Sequence, residues 1–166
     1  MIIRDAVEAD LPAIIEIYNV AIRTRLATAQ LDPVSVEDRL DWFRAHSPEK
    51  HPLWVAEIDN RIAGWLSFHS FISRCAYNGT VEISIYVHEL FRRAGIGRQL
   101  LAEAIAQAPR LSISVLIGCV FAHNEPSLRL FERLDFQRWG FLPRIARMDN
   151  VERDLVILGR PIPVPA

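Results

Sequence analysis

The residues best suited to chemistry lie in one short turn between an alternating apolar run and an amphipathic segment. The turn holds three arginines and two glycines: Arg92, Arg93, Gly95, Gly97 and Arg98. A helix N-terminus leaves backbone N–H groups without intrahelical partners and carries partial positive charge, so it can hold a phosphate group. Glycines let the backbone come close to the anion, and arginines add charge-assisted hydrogen bonds. The turn therefore predicts a diphosphate-binding site between a strand and a helix.

Two familiar phosphate-binding motifs do not fit this turn. A Walker P-loop needs GxxxxGK[ST], which the sequence lacks. A dinucleotide fingerprint needs GxGxxG near the first strand, whereas "GIGRQL" lacks the third glycine and lies in mid-chain. What remains is R-x-x-G-x-G, formed by Arg92, Gly95 and Gly97. Taken alone, this pattern is more typical of a glycine-rich connection with solvated arginines than of a phosphate site.

One carboxylate stands out on the strand before the turn. The run "TVEISIYV" alternates, with Val81 and Ile83 on one face and Glu82, Ser84 and Tyr86 on the other. Burial on such a strand would raise the pKa of Glu82 and make it a candidate general base. The alternatives are a solvated carboxylate at a sheet edge and an ion pair with a nearby arginine.

The flanking sequence predicts a mixed α/β domain with the order β-α-α-β-β-β-α-β-α-β-β. Asp10 is expected to cap the first helix, and Ser35 the second, with Asp38 as its capping-box partner. Asn124 is expected to cap a helix that ends near Arg133. The predicted strands cover 2–6, 53–58, 61–71, 80–87, 112–122, 136–142 and 152–160, and the helices cover 11–25, 35–43, 95–108 and 124–133. The domain is expected to span 1–160, followed by a frayed proline-rich tail over 161–166.

Composition bounds the function. The chain has 166 residues, of which 51% are hydrophobic and 23% are charged, and this composition favours one globular domain. The net charge of -1 gives no overall field to recruit nucleic acid or an acidic membrane.

The cysteines and histidines carry no metal or disulfide signal. The two cysteines, Cys75 and Cys119, form no CxxC pair and are expected to be small buried residues. The histidines lack metal-ligand spacing, so no metal is predicted. No signal peptide or run of roughly 18 apolar residues is present, and the expected compartment is the cytoplasm.

A second motif follows the most apolar strand. In "AHNEPSLRLFERLDF", Asn124 and Ser127 open a helix that precedes an aromatic strand. The series of strand, R-x-x-G-x-G, helix, strand, N-x-x-S and helix resembles the acetyl-CoA-binding core of the GNAT N-acetyltransferases. The segments "YN", "WVAE", "AGW" and "TVEISIYV" resemble the phosphinothricin acetyltransferase-like branch. The resemblance implies a mostly antiparallel mixed sheet with a splayed strand pair, flanked by helices.

The resemblance also implies roles for individual residues. Glu82 would be the general base, Arg74 would hold a substrate carboxylate, and Tyr77 and Thr80 would shape the acceptor pocket. Many GNAT enzymes have a tyrosine acid where this chain has Phe131, which leaves water, Tyr86 or unassisted thiolate departure for that step. The cofactor would be held by the backbone of Tyr86 and Val87, by the amides of Arg92, Arg93, Ala94, Gly95, Ile96, Gly97 and Arg98, and by Asn124 and Ser127.

The sequence thus predicts an acetyl-CoA-dependent N-acetyltransferase without a metal. Its acceptor would be a small amine that carries a carboxylate, such as an amino acid, phosphinothricin or methionine sulfoximine. Alternatives are acetylation of a polyamine or a protein N-terminus, and a non-catalytic acyl-CoA-binding module. By analogy with relatives the protein is expected to be a homodimer, with neither nucleic acid nor a membrane as partner.

Overall fold

The computed structural model describes residues 1–163. Over this range seven strands form one sheet in the order β1-β2-β3-β4-β5-β7-β6, and four helices cover its two faces. The bounds are β1 (Ile2–Asp5), α1 (Leu11–Thr24), α2 (Leu40–Arg44), β2 (Leu53–Ile58), β3 (Arg61–Ser70), β4 (Thr80–Val87), α3 (Ile96–Gln107), β5 (Val115–Phe121), α4 (Glu125–Glu132), β6 (Gln137–Met148) and β7 (Val151–Pro161).

The sheet is antiparallel except at its centre. β1 to β4 form consecutive antiparallel pairs, and the β2–β3 hairpin turns at Asp59 and Asn60, both with positive φ. β4 and β5 run parallel and pair only from Thr80 to Glu82. Beyond Glu82 they are not paired, while β5 stays paired with β7 along its whole length. The predicted mixed sheet with a splayed strand pair is confirmed.

Each face of the sheet has its own apolar core. On one face, α3 and α4 pack over β3, β4 and β5, with Val81 and Ile83 pointing into this core. On the other face, α1 packs over β2 and β3, and Tyr86 and residues of α2 join at the edge. The alternation predicted for β4 is therefore confirmed, and it places Glu82, Ser84 and Tyr86 on the α1 side.

The predicted helix caps are formed in part. The Ser35 N–H donates to the Asp38 carboxylate (2.9 Å) and the Asp38 N–H donates to the Ser35 hydroxyl (3.1 Å), as predicted. This pair precedes the 3-10 turn Glu37–Arg39, however, and α2 itself begins at Leu40 and not at Ser35. The Asn124 side chain accepts from the Ser127 N–H at 3.3 Å. Asp10 does not cap α1: its carboxylate instead binds the Arg4 guanidinium (2.7 Å) and the Val7 N–H (2.8 Å).

The chain end and Cys75 also depart from the predictions. Pro161 still pairs with Val115, and the Ile162 N–H donates to the Ser114 carbonyl at 2.8 Å. A proline can end a strand where no donor is needed, and the buried Ile162 side chain fixes the segment. Residues 164–166 of the predicted tail lie outside the described residues. Cys75 is exposed, since it lies in the β3–β4 loop. Within 1–163 no helix has the length and hydropathy to cross a membrane.

Candidate active site

The glycine-arginine turn predicted to bind a phosphate continues into the first turn of α3, which begins at Ile96. Gly95 is the N-cap and has φ +80°, a left-handed conformation that glycine adopts without strain. The first helical bond at this end runs from the Gln99 N–H to the Gly95 carbonyl at 3.0 Å. Because α3 begins at Ile96, the N–H groups of Ile96, Gly97 and Arg98 precede any intrahelical acceptor. The turn therefore presents the donors that a phosphate needs.

The three arginines of this turn are exposed, and they form no ion pair within residues 1–163. They differ from Arg4, whose guanidinium contacts both Asp10 and Glu57 at 2.7 Å. Three unpaired cations beside a helix N-terminus concentrate positive potential in a protein whose net charge is only -1. This local charge suits an anion with several negative groups.

Gly97 serves a different purpose from the predicted one. A Cβ at Gly97 would lie 3.2 Å from Leu130 Cδ2 on α4 and 3.7 Å from Val87 Cγ2 on β4. The absent side chain therefore faces the core and not the anion. The expectation that Gly97 clears space for a phosphate is wrong, because glycine is needed here to let α3 pack closely against α4 and β4.

The gap between β4 and β5 exposes backbone groups of β4. The His88 N–H donates to the Ala63 carbonyl across the β3 edge, and Trp65 faces Tyr86 in the same register. Because neighbouring residues of a strand direct their polar groups to opposite sides, Tyr86 points its backbone toward β3 and Val87 points its backbone toward the gap. Tyr86 and Val87 were both predicted to pair with the cofactor arm through their backbone. The backbone groups of Tyr86 are directed to β3, so of the two residues Val87 is the one that can do so.

Glu82 lies where the two strands separate. Its side chain is half-buried, and it forms no ion pair with any described residue. Burial raises the pKa of the Glu82 carboxyl, and a hydrogen bond from the Cys119 thiol partly offsets this rise. Burial and the neighbouring carboxylate raise the pKa of Cys119 to about 12, so the thiol keeps its proton. The carboxyl has the raised pKa expected of a general base.

A cavity of about 160 Å³ lies on the α1 side of the sheet, and its lining includes His69 and Ser84, which neighbour Glu82, but not Glu82 itself. His69 of β3, which lines it, is the direct cross-strand partner of Glu82. His69 was not among the predicted site residues, although Trp65, Ser67 and His69 alternate along β3 as Glu82 and Ser84 do along β4. The lining residues are Ile14, Ile15, Tyr18, Arg39, Trp42, Trp65, Ser67, His69, Ser84 and Tyr86.

The polar groups on the cavity floor are neutral. Burial, together with the positive field of His46, His51 and Arg39, lowers the pKa of His69 to about 4. Its Nε2 lies 2.7 Å from the hydroxyl of the buried Ser67. Burial also raises the pKa of Tyr86, so its phenol keeps a proton that it can donate. The floor thus offers hydrogen bonds without a charge.

Phe131 is a core residue. It is 4% exposed, and its ring stands edge-on to Phe136 with the centroids 4.9 Å apart. Its Cε1 would lie 2.5 Å from a Cβ at Gly118, so the ring occupies the space that this glycine leaves open. The side chain carries no proton donor. The phenols beside the cavity are those of Tyr86 and Tyr18, and the Tyr18 hydroxyl is hydrogen-bonded to Thr28 at 3.0 Å.

The structure does not bring all of the predicted site residues together. Arg74 and Tyr77 are exposed in the β3–β4 loop, Thr80 begins β4, and none of the three lines the cavity. Ser127 is half-buried in the first turn of α4, next to its cap Asn124. Within 1–163 no group of three His, Cys, Asp or Glu side chains could hold a metal ion.

Comparisons with known proteins agree with this geometry. The sequence model of the acetyltransferase (GNAT) family matches residues 13–136. The chain is 48% identical to "Putative phosphinothricin acetyltransferase YwnH" of Bacillus subtilis, covering 96% of this chain and 98% of that protein. It is 34% identical to the L-methionine sulfoximine/L-methionine sulfone acetyltransferase of Pseudomonas paraeruginosa, covering 94% and 91%. A crystal structure of a phosphinothricin acetyltransferase from Sinorhizobium meliloti in complex with acetyl-CoA superposes with a TM-score of 0.92 at 28% identity, covering 97% and 88%.

The family model matches most of the chain, and solved acetyltransferases have the same fold, so the protein is an acyltransferase. The chain belongs to the GNAT acetyltransferase family, and its relatives include phosphinothricin-type enzymes. The predicted family, fold class and enzyme class are confirmed.

Proposed function

We propose that the protein transfers an acetyl group from acetyl-CoA to the primary amine of a small carboxylate-bearing acceptor. Amino acids and analogues such as phosphinothricin or methionine sulfoximine are the proposed acceptors. The observation that carries the proposal is the position of Glu82, a half-buried carboxylate with a raised pKa at the point where β4 and β5 separate, next to residues that line a small cavity. The names of the relatives support the same acceptor class.

The residues around the turn suit coenzyme A. The free N–H groups at the start of α3 and the unpaired Arg92, Arg93 and Arg98 fit its pyrophosphate. Ala94 precedes the N-cap and would follow the same path along the anion. The Val87 backbone and Asn124 are the proposed contacts of the pantetheine arm, and Ser127 is the proposed contact on the far side of the cofactor. When bound, acetyl-CoA supplies an acetyl group activated as a thioester.

Glu82 is the proposed proton acceptor. An amino-acid ammonium is mostly protonated at neutral pH, so the amine must lose a proton before its lone pair can attack a carbonyl carbon. Glu82 takes that proton, directly or through one water. The N–H of Val87, which points into the gap, is the proposed donor to the oxygen on which negative charge develops. The Tyr86 phenol or water then protonates the departing thiolate.

The acceptor side of the proposal includes Arg74, Tyr77 and Thr80 at the loop before β4. A cavity of about 160 Å³ holds roughly five water molecules at ~30 Å³ each, which suits an amino acid better than a peptide. These three residues would meet the part of the acceptor that extends from the cavity.

Thiol release from acetyl-CoA tests this function. We expect turnover with L-methionine sulfoximine, L-methionine sulfone or phosphinothricin, and little with putrescine or an N-terminal peptide. Preference for putrescine or the peptide would contradict the proposed acceptor class. Acetyl-CoA binding in calorimetry without turnover on any amine would instead favour a non-catalytic module.

For the assembly we propose a homodimer, and for the compartment the cytoplasm. β6 is an edge strand with exposed apolar side chains, including Phe141 (57%) and Ile145 (59%), and such a surface is typical of an interface. The two free thiols suit a reducing compartment. Sedimentation equilibrium tests the dimer, and a monomeric mass at micromolar concentration would contradict it.

A further inference from the structure

Arg39 is the charged side chain among the cavity-lining residues. It lies in the short turn before α2, far in sequence from Glu82 and from the arginine-rich turn of α3. We propose that Arg39 binds the carboxylate of the acceptor and thereby selects amino acids over other amines. This inference rests on the proposed acetyl transfer and names the residue that would set its specificity.

The first support is the way Arg39 is held. Its guanidinium carbon lies 5.2 Å from the ring centroid of Tyr18 and 5.8 Å from that of Trp42. Cation–π contacts of this kind fix the position of the guanidinium while its N–H donors remain available. Both rings also line the cavity, so the aromatic pair holds the guanidinium at the cavity wall.

The second support is the absence of a protein partner. Within residues 1–163 the Arg39 side chain forms neither an ion pair nor a hydrogen bond, whereas Arg4 and Arg25 each contact a carboxylate. The neighbouring Asp38 is exposed and accepts from the Ser35 N–H. A guanidinium fork matches a carboxylate with two parallel hydrogen bonds, and at this wall the chain leaves the fork open.

The third support is the charge of the remaining lining. Ser67, Ser84 and Tyr86 are neutral, and the lowered pKa of His69 keeps its imidazole uncharged at neutral pH. The positive charge of Arg39 is therefore not balanced within the cavity. A cationic polyamine would be repelled there, while an acceptor with a carboxylate would supply the missing charge.

The fourth support is the layout of the cavity relative to Glu82. Its floor is formed by β3 and β4, where His69 and Ser84 flank Glu82, and its opposite wall is formed by α1 and the Arg39 turn. The amine and the carboxylate of an α-amino acid are bonded to the same carbon atom. A carboxylate held by Arg39 would therefore keep the amine in the same cavity, whose floor includes His69 and Ser84 beside Glu82.

Arg39→Met tests the inference, because methionine keeps the apolar stem against the rings and removes the charge and the donors. We would measure kcat and KM with L-methionine sulfone and with its decarboxylated amine. Loss of charge-assisted hydrogen bonds predicts a KM for the sulfone raised roughly ten- to hundredfold. The KM for the decarboxylated amine and the kcat at saturation should stay nearly unchanged.

Two further variants frame the measurement. Arg44→Met is the matched control, since Arg44 ends α2, is exposed and pairs with Glu8 at 3.5 Å away from the cavity; it should change neither KM. Arg39→Lys keeps the charge and loses the fork, so it should show a smaller rise for the sulfone alone. This variant decides the question if Arg39→Met does not fold.

A readout that needs no turnover completes the test. Calorimetry of L-methionine sulfone with the enzyme saturated by coenzyme A should show a weaker Kd in Arg39→Met and an unchanged affinity for coenzyme A. An equal change for both amines, or a carboxylate-selective loss in Arg74→Met with none in Arg39→Met, would overturn the role of Arg39. Failure of the wild-type enzyme to acetylate either amine would overturn the proposed function itself.

Discussion

The proposed phosphate-binding turn and the proposed acceptor cavity are built from different groups. The turn uses the backbone N–H groups of consecutive residues, which begin α3, with exposed arginines around them. The cavity uses side chains from five elements: α1, the turn before α2, α2 itself, β3 and β4. The first arrangement depends on local backbone geometry, and the second depends on tertiary packing.

This difference separates what the two sides can recognise. Backbone donors at a helix N-terminus bind any suitably placed phosphate, so they suit a ligand shared by a whole family. A wall of Tyr18, Trp42 and Arg39 can change residue by residue without moving the sheet. Substitutions on the two sides of Glu82 should therefore affect the acetyl donor and the acceptor independently.

The largest expected effect is that of Glu82→Gln. Glutamine keeps the size of the side chain and removes the proton acceptor, so kcat should fall about 10²–10⁴-fold while the affinity for acetyl-CoA is retained. Activity of the variant should rise with pH as free amine becomes available. Steady-state kinetics and calorimetry measure the two quantities, and unchanged turnover at neutral pH would make Glu82 a structural residue.

The raised pKa of Glu82 adds a pH signature. Only the ionised carboxylate accepts a proton, so kcat/KM of the wild type should fall on acidification at a pH above the ordinary carboxyl value of 4.5. Glu82→Gln should not show this fall in kcat/KM on acidification.

The same pKa shift affects stability. Because the pKa of Glu82 is higher in the folded state than in the unfolded state, the folded state binds more protons, and this group lowers stability as pH rises. Loss of activity in Glu82→Gln should therefore come with an equal or higher Tm at pH 7.

A smaller effect is expected for Gly97→Val, which tests how the turn is held. The new side chain would meet Leu130 and Val87, and such overpacking lowers the free energy of unfolding by about 1–3 kcal/mol. Since the start of α3 must shift, acetyl-CoA should also bind more weakly. Urea denaturation and calorimetry measure these changes.

The double variant Gly97→Val/Leu130→Ala separates packing from direct contact with the ligand. Removal of the Leu130 branch gives the valine space, so the two substitutions should be non-additive in stability. Recovery of acetyl-CoA affinity together with stability would support a packing role for Gly97. Recovery of stability alone would show that the valine also obstructs the ligand.

The contrast between the two sides also explains what the sequence could predict. The turn was found because its donors are contiguous and because Gly95 marks a helix start in sequence as well as in space. Glu82 was found because the period-two pattern of β4 assigns it to one face. The mostly antiparallel mixed sheet and the splayed pair were implied by the family resemblance, since no local pattern encodes the three-residue pairing of β4 with β5.

The cavity could not be predicted in the same way. Arg39 and Glu82 are brought near the same cavity by the packing of α1 and the Arg39 turn over the sheet, and neither residue carries a local signal of the other. Gly97 was assigned correctly to the turn but for the wrong reason, because its neighbour Leu130 lies on another helix. Asp10 failed as a cap because Arg4, on β1, binds its carboxylate.

The smallest expected effect is that of Arg92→Ala, and it tests whether charge around the turn matters beyond the backbone donors. Arg92 is exposed and forms no ion pair within 1–163. Exposed ionic contacts are weak, so the Kd of acetyl-CoA should rise by no more than about fivefold. The Debye length shortens from about 10 Å at 0.1 M salt to about 3 Å at 1 M, so the difference between wild type and variant should shrink with added salt.

The matched control is Arg110→Ala. Arg110 is an exposed arginine beyond the other end of α3, and its substitution should leave the Kd unchanged. A loss much larger than fivefold that persists at 1 M salt would mean that Arg92 makes a desolvated contact with the anion, and the arginines would then rank with the backbone as determinants of binding.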